Sequence, residues 1–188
     1  MSQLLIVDIQ NSYKKHIAPH IINNLPDYAK KFDTIFYLFD TLGNSGEYYD
    51  EVCESWLDDE EFIGSLNVFK KEYGFFRNLI DVGIDEEEIV LVVQFMLENS
   101  VHDLRDLLED DPETYENFKI RFKNSDIINL NLNDYFIYIP DDLIEFLTNN
   151  ISDNVVLVGG GEKECLKEVR ILLDALKIKY SVNSEFVY

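Results

Sequence analysis

Residues 3–9 read QLLIVDI, an almost unbroken run of leucine and β-branched residues that contains a single aspartate. Such a run is typical of a strand buried on both faces of a parallel sheet. Residues 17–32 follow with apolar side chains at helical spacing, although Pro26 is expected to interrupt or divide that helix. Because residues 34–39 (TIFYLF) return to strand character, the opening of the chain predicts a βαβ unit.

The end of the chain repeats this pattern. Residues 155–158 (VVLV) predict a short buried strand, three glycines break it, residues 164–176 predict an amphipathic helix, and residues 179–182 predict a last strand. Residues 135–139 (YFIYI) predict one further strand, followed by a helix that begins at an acidic pair. The predicted fold is therefore α/β: a doubly wound, mostly parallel, Rossmann-type three-layer sheet with helices on both faces.

The middle of the chain has a different pattern. Residues 43–133 are strongly acidic, and residues 85–122 predict helices rather than alternating strands. Neither a repeat nor a low-complexity linker separates this stretch from its surroundings. We therefore expect one domain over 1–188, with an acidic helical insertion over 43–133.

Composition limits the classes of partner. The 188 residues carry a formal net charge of -21, which repels phosphate backbones and anionic lipid surfaces and so argues against nucleic-acid and membrane partners. The two cysteines lie far apart in sequence, and the N-terminal residues lack the pattern of a secretory signal, so a cytoplasmic protein is expected. A small-molecule ligand and a homo-oligomer both remain compatible with this composition.

Asp8 is the first candidate for chemistry. In open α/β sheets the ligand crevice lies at the carboxyl ends of the strands, and Asp8 ends the first strand, where it could act as a base. The structural alternative, in which Asp8 caps a helix or organises the turn, is about equally compatible with its position.

Cys165 is the second candidate, because it follows a glycine-rich turn (GGGEKEC, residues 159–165) at the start of a helix. The helix dipole and unpaired N–H groups favour a thiolate there, and the same N–H groups could form an oxyanion hole. Glu162 and Glu164 would oppose that effect if they face the thiol, and a cysteine on a helix is more often a small core residue.

Two adjacent lysines in residues 69–77 (FKKEYGFFR) are the third candidate. A lysine near a cysteine lowers the pKa of the thiol and can polarise a carbonyl. In isolation, such lysines are more often solvated, and aromatic runs more often serve packing.

Together these strings resemble the isochorismatase-like cysteine hydrolases. Residues 8–13 (DIQNSY) are similar to the D-x-Q-N-x-F/Y pattern that ends the first strand of the family, Cys165 follows Gly159 at the spacing of the family nucleophile, and residues 70–76 (KKEYGFF) are similar to the string around the family lysine. The resemblance implies a catalytic triad of Asp8 as base, Lys70 as electrostatic stabiliser and Cys165 as nucleophile. It also implies a substrate site that includes Gln10, Tyr13, Gly159, Gly160, Gly161 and Glu164.

Neither a cofactor nor a metal is expected. Nicotinamidases of this family carry an Asp/His-rich string after the second strand for a divalent ion, whereas residues 39–44 (FDTLGN) contain no histidine. Two functions follow: a cysteine-dependent hydrolase of a small amide or ureide-like substrate, or a catalytically inactive relative that binds a ligand or a protein partner. The enzyme needs the ammonium of Lys70 near Cys165, whereas the binding protein does not.

Overall fold

The structure, a computed structural model, describes residues 1–40, 52–71, 77–109, 111–131 and 137–188. Within these residues, five strands form one parallel sheet in the order β3-β2-β1-β4-β5. The strands are β1 Gln3–Val7, β2 Thr34–Asp40, β3 Leu66–Lys71, β4 Val155–Gly159 and β5 Tyr180–Val182. The predicted α/β class with a parallel sheet is confirmed.

Helices connect and cover the strands. They are α1 Pro19–Ala29, α2 Glu54–Leu57, α3 Glu60–Ser65, α4 Arg77–Asp81, α5 Glu86–Glu98, α6 Asp106–Glu109, α7 Pro112–Arg121, α8 Asp141–Asn150 and α9 Cys165–Ala175. Short 3-10 helices occupy Asn11–Tyr13, Asp126–Asn129 and Ser184–Phe186. In the described part of the chain, none of the helices is long and apolar enough to cross a bilayer.

The sheet has a hydrophobic core on each face. Alternate residues of a strand point to opposite faces, and Leu5 and Val7 of β1 join a core with α5, α8 and α9. Leu4 and Ile6 of the same strand join a second core with α1 and α2. Burial on both faces explains why β1 reads as a continuous apolar run rather than an alternating one.

Helix α1 continues through Pro26, contrary to the predicted interruption. A proline in a helix removes the N–H group that would bond the carbonyl four residues earlier, which here is the carbonyl of Ile22. The indole Nε1 of Trp56 donates to that carbonyl oxygen at 2.8 Å. A side chain from α2 thus supplies the donor that Pro26 lacks, so α1 keeps its hydrogen bonding despite the proline.

Replacing Trp56 by phenylalanine is expected to destabilise the fold by about 1–3 kcal/mol beyond the loss of packing, because the buried Ile22 carbonyl loses its donor. In a Pro26→Ala background the new amide can donate to the same carbonyl, so the cost of Trp56→Phe should shrink. A double-mutant cycle measured by urea unfolding isolates this coupling. Additive effects of the two substitutions would contradict the explanation.

The acidic middle of the chain contributes to the sheet as well as to its cover. Strand β3 lies within the predicted helical insertion, 43–133, and pairs with β2, while α4 to α7 follow it. The limits of the insertion, 43 and 133, lie outside the described residues. The predicted strand 135–139 does not join the sheet in its described part, since Tyr138 there forms only an isolated bridge with Asp103.

Candidate active site

The candidate site lies where the order of the strands reverses. From the adjacent strands β1 and β4, the chain proceeds through β1–α1–β2 in one direction and through β4–α9–β5 in the other. Such a switch point opens a crevice at the carboxyl ends of the strands, which is where open α/β sheets bind ligands. Asp8 follows β1, Asp40 and Lys71 end β2 and β3, and Cys165 begins the helix after β4.

Asp8 adopts a left-handed backbone conformation, with a φ of 50°. This conformation is unfavourable for residues with a side chain by about 1–2 kcal/mol, although aspartate tolerates it better than most. The surrounding structure holds it in place: its N–H donates to the Leu38 carbonyl at 2.9 Å, and its carbonyl accepts from the Tyr188 hydroxyl at 2.8 Å. The turn at Asp8 interrupts the alternation of side chains along the strand and so changes the direction of the Asp8 side chain.

The Asp8 carboxylate forms an ion pair with Lys71, not with the predicted Lys70. The Lys71 Nζ lies 2.9 Å from Asp8 Oδ2, and the two side chains are 1% and 0% exposed. Lys70 is exposed to solvent on the opposite face of β3. The lysine at the site is therefore one residue later than the resemblance implied, because alternate residues of a strand face opposite sides.

Burial and charge act against each other in this pair. Burial raises the pKa of Asp8, while the positive charge of Lys71 opposes that shift. Burial is the largest single effect and would lower the pKa of Lys71, but the interactions with Asp8, Cys165 and Asp40 together outweigh it and raise the pKa of the ammonium. We conclude that Lys71 stays protonated beside a carboxyl group whose proton affinity is higher than that of an ordinary aspartate.

Cys165 begins α9 and is 6% exposed. Burial raises the pKa of its thiol well above the usual range, the charge of Asp8 raises it further, and the charge of Lys71 lowers it. All three groups are thus within electrostatic range of one another. The resting thiol keeps its proton, so Cys165 could act as a nucleophile only with a base to accept that proton.

A cleft of about 520 Å³ has Cys165 in its wall. Its walls are Tyr13, His16, Tyr188 and the turn formed by residues 161–165. A volume of this size accommodates a small organic molecule rather than a macromolecule.

The structure brings some of the predicted substrate-site residues to this cleft and leaves others away from its wall. Tyr13, Gly161 and Glu164 line it. Gly159 and Gly160 instead shape the backbone beneath it, with φ values of 80° and 65°. These two glycines allow the chain to turn tightly from β4 toward α9.

Gln10 is fully buried and extends the sheet. Its side-chain Nε2 donates to the Asp40 carbonyl at 2.7 Å, and its Oε1 accepts from the Asp40 N–H at 2.8 Å. At the end of β2, these two bonds take the place of the backbone hydrogen bonds that a neighbouring strand would form with Asp40. The described contacts of Gln10 thus give it a structural role, and it is not among the residues of the cleft wall.

An ion pair fixes the turn before Cys165. The Arg77 guanidinium at the start of α4 donates to Glu164 Oε1 at 2.9 Å and also binds Asp81. The hydrogen bond from Arg77 holds the pKa of the Glu164 carboxyl below its usual range. Neutralisation by Arg77 therefore reduces the repulsion that Glu164 was expected to exert on a thiolate.

Three contributors were absent from the predicted site: Asp40, Lys71 and Tyr188. Asp40 is fully buried and accepts a hydrogen bond at 2.9 Å from the Tyr13 hydroxyl. A polar residue directly after a predicted strand, here 34–39, is a signal that could have indicated Asp40, whereas no strand was predicted at Lys71. Tyr188 carried no such signal, since 180 positions separate it from Asp8.

Among the residues that the structure describes, no group of three or more His, Cys, Asp or Glu side chains is arranged to hold a metal ion. Asp8 is paired with the ammonium group of Lys71.

Comparisons with known proteins identify no relative of this chain. No protein-family model, no curated protein and no solved structure matches the chain.

Proposed function

We propose that this protein is a cysteine-dependent hydrolase of a small C–N-bonded substrate, an amide or a ureide. Cys165 is the nucleophile, Asp8 the base and Lys71 the electrostatic stabiliser. The observation that carries the proposal is the buried Asp8–Lys71 ion pair within electrostatic range of a cysteine in the wall of a cleft. A buried ion pair contributes little net stability, so its presence at the strand ends calls for a chemical reason.

The first half of the reaction transfers the acyl group to sulfur. Asp8 accepts the thiol proton as the sulfur of Cys165 bonds to the carbonyl carbon, and negative charge develops on the carbonyl oxygen. Lys71 offsets the charge at the reacting centre. The C–N bond then breaks, the nitrogen leaves with the proton that Asp8 returns, and a thioester remains.

The second half releases the enzyme. Asp8 accepts a proton from a water molecule, whose oxygen bonds to the thioester carbon, and the C–S bond breaks. Sulfur recovers the proton from Asp8, so the resting thiol is restored. The raised pKa of Cys165 suits this cycle, because a thiol that keeps its proton at rest is activated only when Asp8 accepts that proton.

The turn before α9 supplies candidate donors for the carbonyl oxygen. Two N–H groups of this turn are already hydrogen-bonded: the Glu162 N–H donates to the Tyr188 carbonyl, and the Glu164 N–H donates to the Gly161 carbonyl. We assign the oxyanion contacts to the amides of Lys163 and Cys165, which alternate with these two along the turn.

A panel of small primary amides and ureides, assayed for ammonia release, tests the proposal. Turnover of at least one compound is expected, and Cys165→Ala should reduce it by about 10³-fold or more. Cys53→Ala is the matched control, because Cys53 is the other buried thiol and, within the described residues, its sulfur donates to the Ile9 carbonyl. Equal turnover by Cys165→Ala and the wild type would contradict the proposal.

Asp8→Asn separates the role of the base from that of the nucleophile. The charge of Asp8 raises the pKa of Cys165, so its removal should speed alkylation of Cys165 at neutral pH. The same substitution should slow turnover by about 10²–10⁴-fold, because the base is gone. Alkylation is followed by peptide mass spectrometry, with Cys53, whose pKa burial raises to about 11, as the internal reference. Slower alkylation in a folded Asp8→Asn variant would count against this assignment.

One observation favours a second candidate, a binding protein without turnover. Cys165 is only 6% exposed and the pKa of its thiol is raised, which are also properties of an inert core cysteine. In that case a panel compound would raise the Tm of both the wild type and Cys165→Ala without being consumed.

A further inference from the structure

A tyrosine in the wall of the cleft is hydrogen-bonded to a buried carboxylate. Tyr13 ends the 3-10 helix after β1 and is half-buried, with part of its side chain in the cleft wall. Its hydroxyl donates to Oδ2 of Asp40 at 2.9 Å, and Asp40 is fully buried at the end of β2. The pair joins the cleft to the same edge of the sheet that holds Asp8 and Lys71.

Tyr13 lines the same cleft as Cys165. Burial raises the pKa of Tyr13, the charge of Asp40 raises it further, and smaller contributions come from Asp8 and Cys165. The hydroxyl is therefore within electrostatic range of the thiol, and it keeps its proton at any physiological pH. The proton occupies the hydrogen bond to Asp40.

This arrangement fixes what Tyr13 can offer a ligand. A phenol has one O–H donor and two acceptor lone pairs, and here the donor is used in a charge-assisted bond to a carboxylate. The phenol oxygen of Tyr13 can therefore serve a molecule in the cleft only as a hydrogen-bond acceptor. The negative charge behind it strengthens that acceptor, because hydrogen bonds in a chain polarise one another.

The charges around the cleft act in the same direction. Among the described residues, the buried charged side chains are the carboxylates of Asp8, Asp40 and Glu168 and the ammonium of Lys71, so buried carboxylates outnumber buried cations around the thiol. At the rim, Arg77 offsets Glu164, while Lys163 and Glu162 carry opposite charges. An anionic ligand is therefore disfavoured close to the thiol.

We infer that Tyr13, oriented by Asp40, is a specificity-determining residue that accepts a hydrogen bond from an N–H group of the substrate. This inference rests on the proposed function and narrows its substrate class. The preferred substrate is uncharged and carries N–H beside the reacting carbon, as primary amides and ureides do. Carboxylates and fully N-alkylated amides are poor ligands.

Three alkylating reagents of similar shape test this recognition without a known substrate. Iodoacetamide carries N–H donors, N,N-dimethyl-iodoacetamide lacks them, and iodoacetate is an anion. In each case sulfur bonds to the reagent carbon as iodide leaves, so the rates at Cys165 compare the three groups directly. Each rate is measured by peptide mass spectrometry and divided by the rate of the same reagent with a small free thiol.

In the wild type, the normalised rate of iodoacetamide at Cys165 should exceed those of the other two reagents. Tyr13→Phe should reduce its advantage over the dimethyl reagent by about tenfold, the effect of losing one hydrogen bond to a charge-assisted acceptor. Asp40→Asn, a second variant, should mainly reduce the discrimination against iodoacetate. Tyr180→Phe is the matched control, because it removes a Tyr–Asp hydrogen bond, to Asp174, outside this cleft.

Unchanged rate ratios in a folded Tyr13→Phe protein would overturn the inference, as would failure of all three reagents to reach Cys165 in the wild type. A change of ratio in Tyr13→Phe without hydrolysis of any panel compound would support recognition by Tyr13 and count against the proposed function. Hydrolysis of a panel compound with unchanged rate ratios would support the proposed function and count against recognition by Tyr13. The failure of one proposal can therefore be distinguished from the failure of the other.

Discussion

Replacing Lys71 by methionine is expected to lower the free energy of unfolding by about 3–5 kcal/mol. The ammonium of Lys71 is the ion-pair partner of Asp8, and both side chains are almost completely excluded from solvent. Its removal leaves a buried carboxylate without a compensating charge, so that Asp8 must either keep a costly charge or take up a proton. The loss should also remove turnover in the proposed reaction, because Asp8 would no longer be held as a carboxylate near Cys165.

The neighbouring lysine provides a matched control. Lys70→Met makes the same chemical change one residue earlier, on the exposed face of β3, and should alter stability by no more than about 0.5 kcal/mol. Urea unfolding followed by circular dichroism measures both variants. Similar costs for the two substitutions would contradict the assignment of Lys71 to the site.

A double variant identifies the origin of the loss. If the cost of Lys71→Met comes from the unpaired charge, Asp8→Asn should recover part of it, because the buried group is then neutral. A cost that stays the same in the Asp8→Asn background would instead indicate lost packing of the lysine stem.

Local patterns were sufficient to predict much of the fold. Strands β1, β2 and β4 are short apolar runs buried on both faces, and such runs are visible without knowledge of their neighbours. Asp8 and Cys165 were identifiable because each stands next to a recognisable boundary, the end of a strand and a glycine-rich turn. Features that depend on a few adjacent residues are the ones that a sequence reveals.

The choice between Lys70 and Lys71 depends on which face of β3 packs against the core. Phe69 packs against the core that contains α9, and Lys71 shares its face because alternate residues point the same way. The two lysines are chemically identical, and nothing local distinguishes them. Only the pairing of β3 with β2, which places Lys71 opposite Asp40, determines which lysine reaches the site.

The remaining site residues come together through contacts between distant parts of the chain. Tyr188 and Asp8 are 180 positions apart, and Arg77 and Glu164 are 87 positions apart. The donor that Trp56 supplies to α1 is of the same kind. It explains why α1 is continuous although Pro26 was expected to interrupt or divide it. Such partners follow from the packing of whole elements, which sequence periodicity does not specify.

Gly159→Ala is expected to destabilise the protein by at least about 3 kcal/mol, from two effects that act together. The residue has a φ of 80°, which is unfavourable for any residue with a Cβ. A Cβ built at this position would also lie 2.2 Å from the carbonyl oxygen of Val7 and 2.7 Å from Cγ1 of Ile9. Because Val7 and Ile9 flank Asp8, the collision would displace the candidate base as well as loosen the pairing of β1 with β4.

Two other glycines separate these effects. Gly83 has a φ of 83° but open space around its missing Cβ, so Gly83→Ala should cost only the conformational term of about 1–2 kcal/mol. Gly64 lies within α3 with neither feature, so Gly64→Ala should stabilise the protein by about 0.5–1 kcal/mol. The four free energies of unfolding should therefore decrease in the order Gly64→Ala, wild type, Gly83→Ala, Gly159→Ala. Equal costs at Gly83 and Gly159 would show that β1 and β4 can separate to admit a methyl group, and that the close approach of their backbones does not fix the position of Asp8.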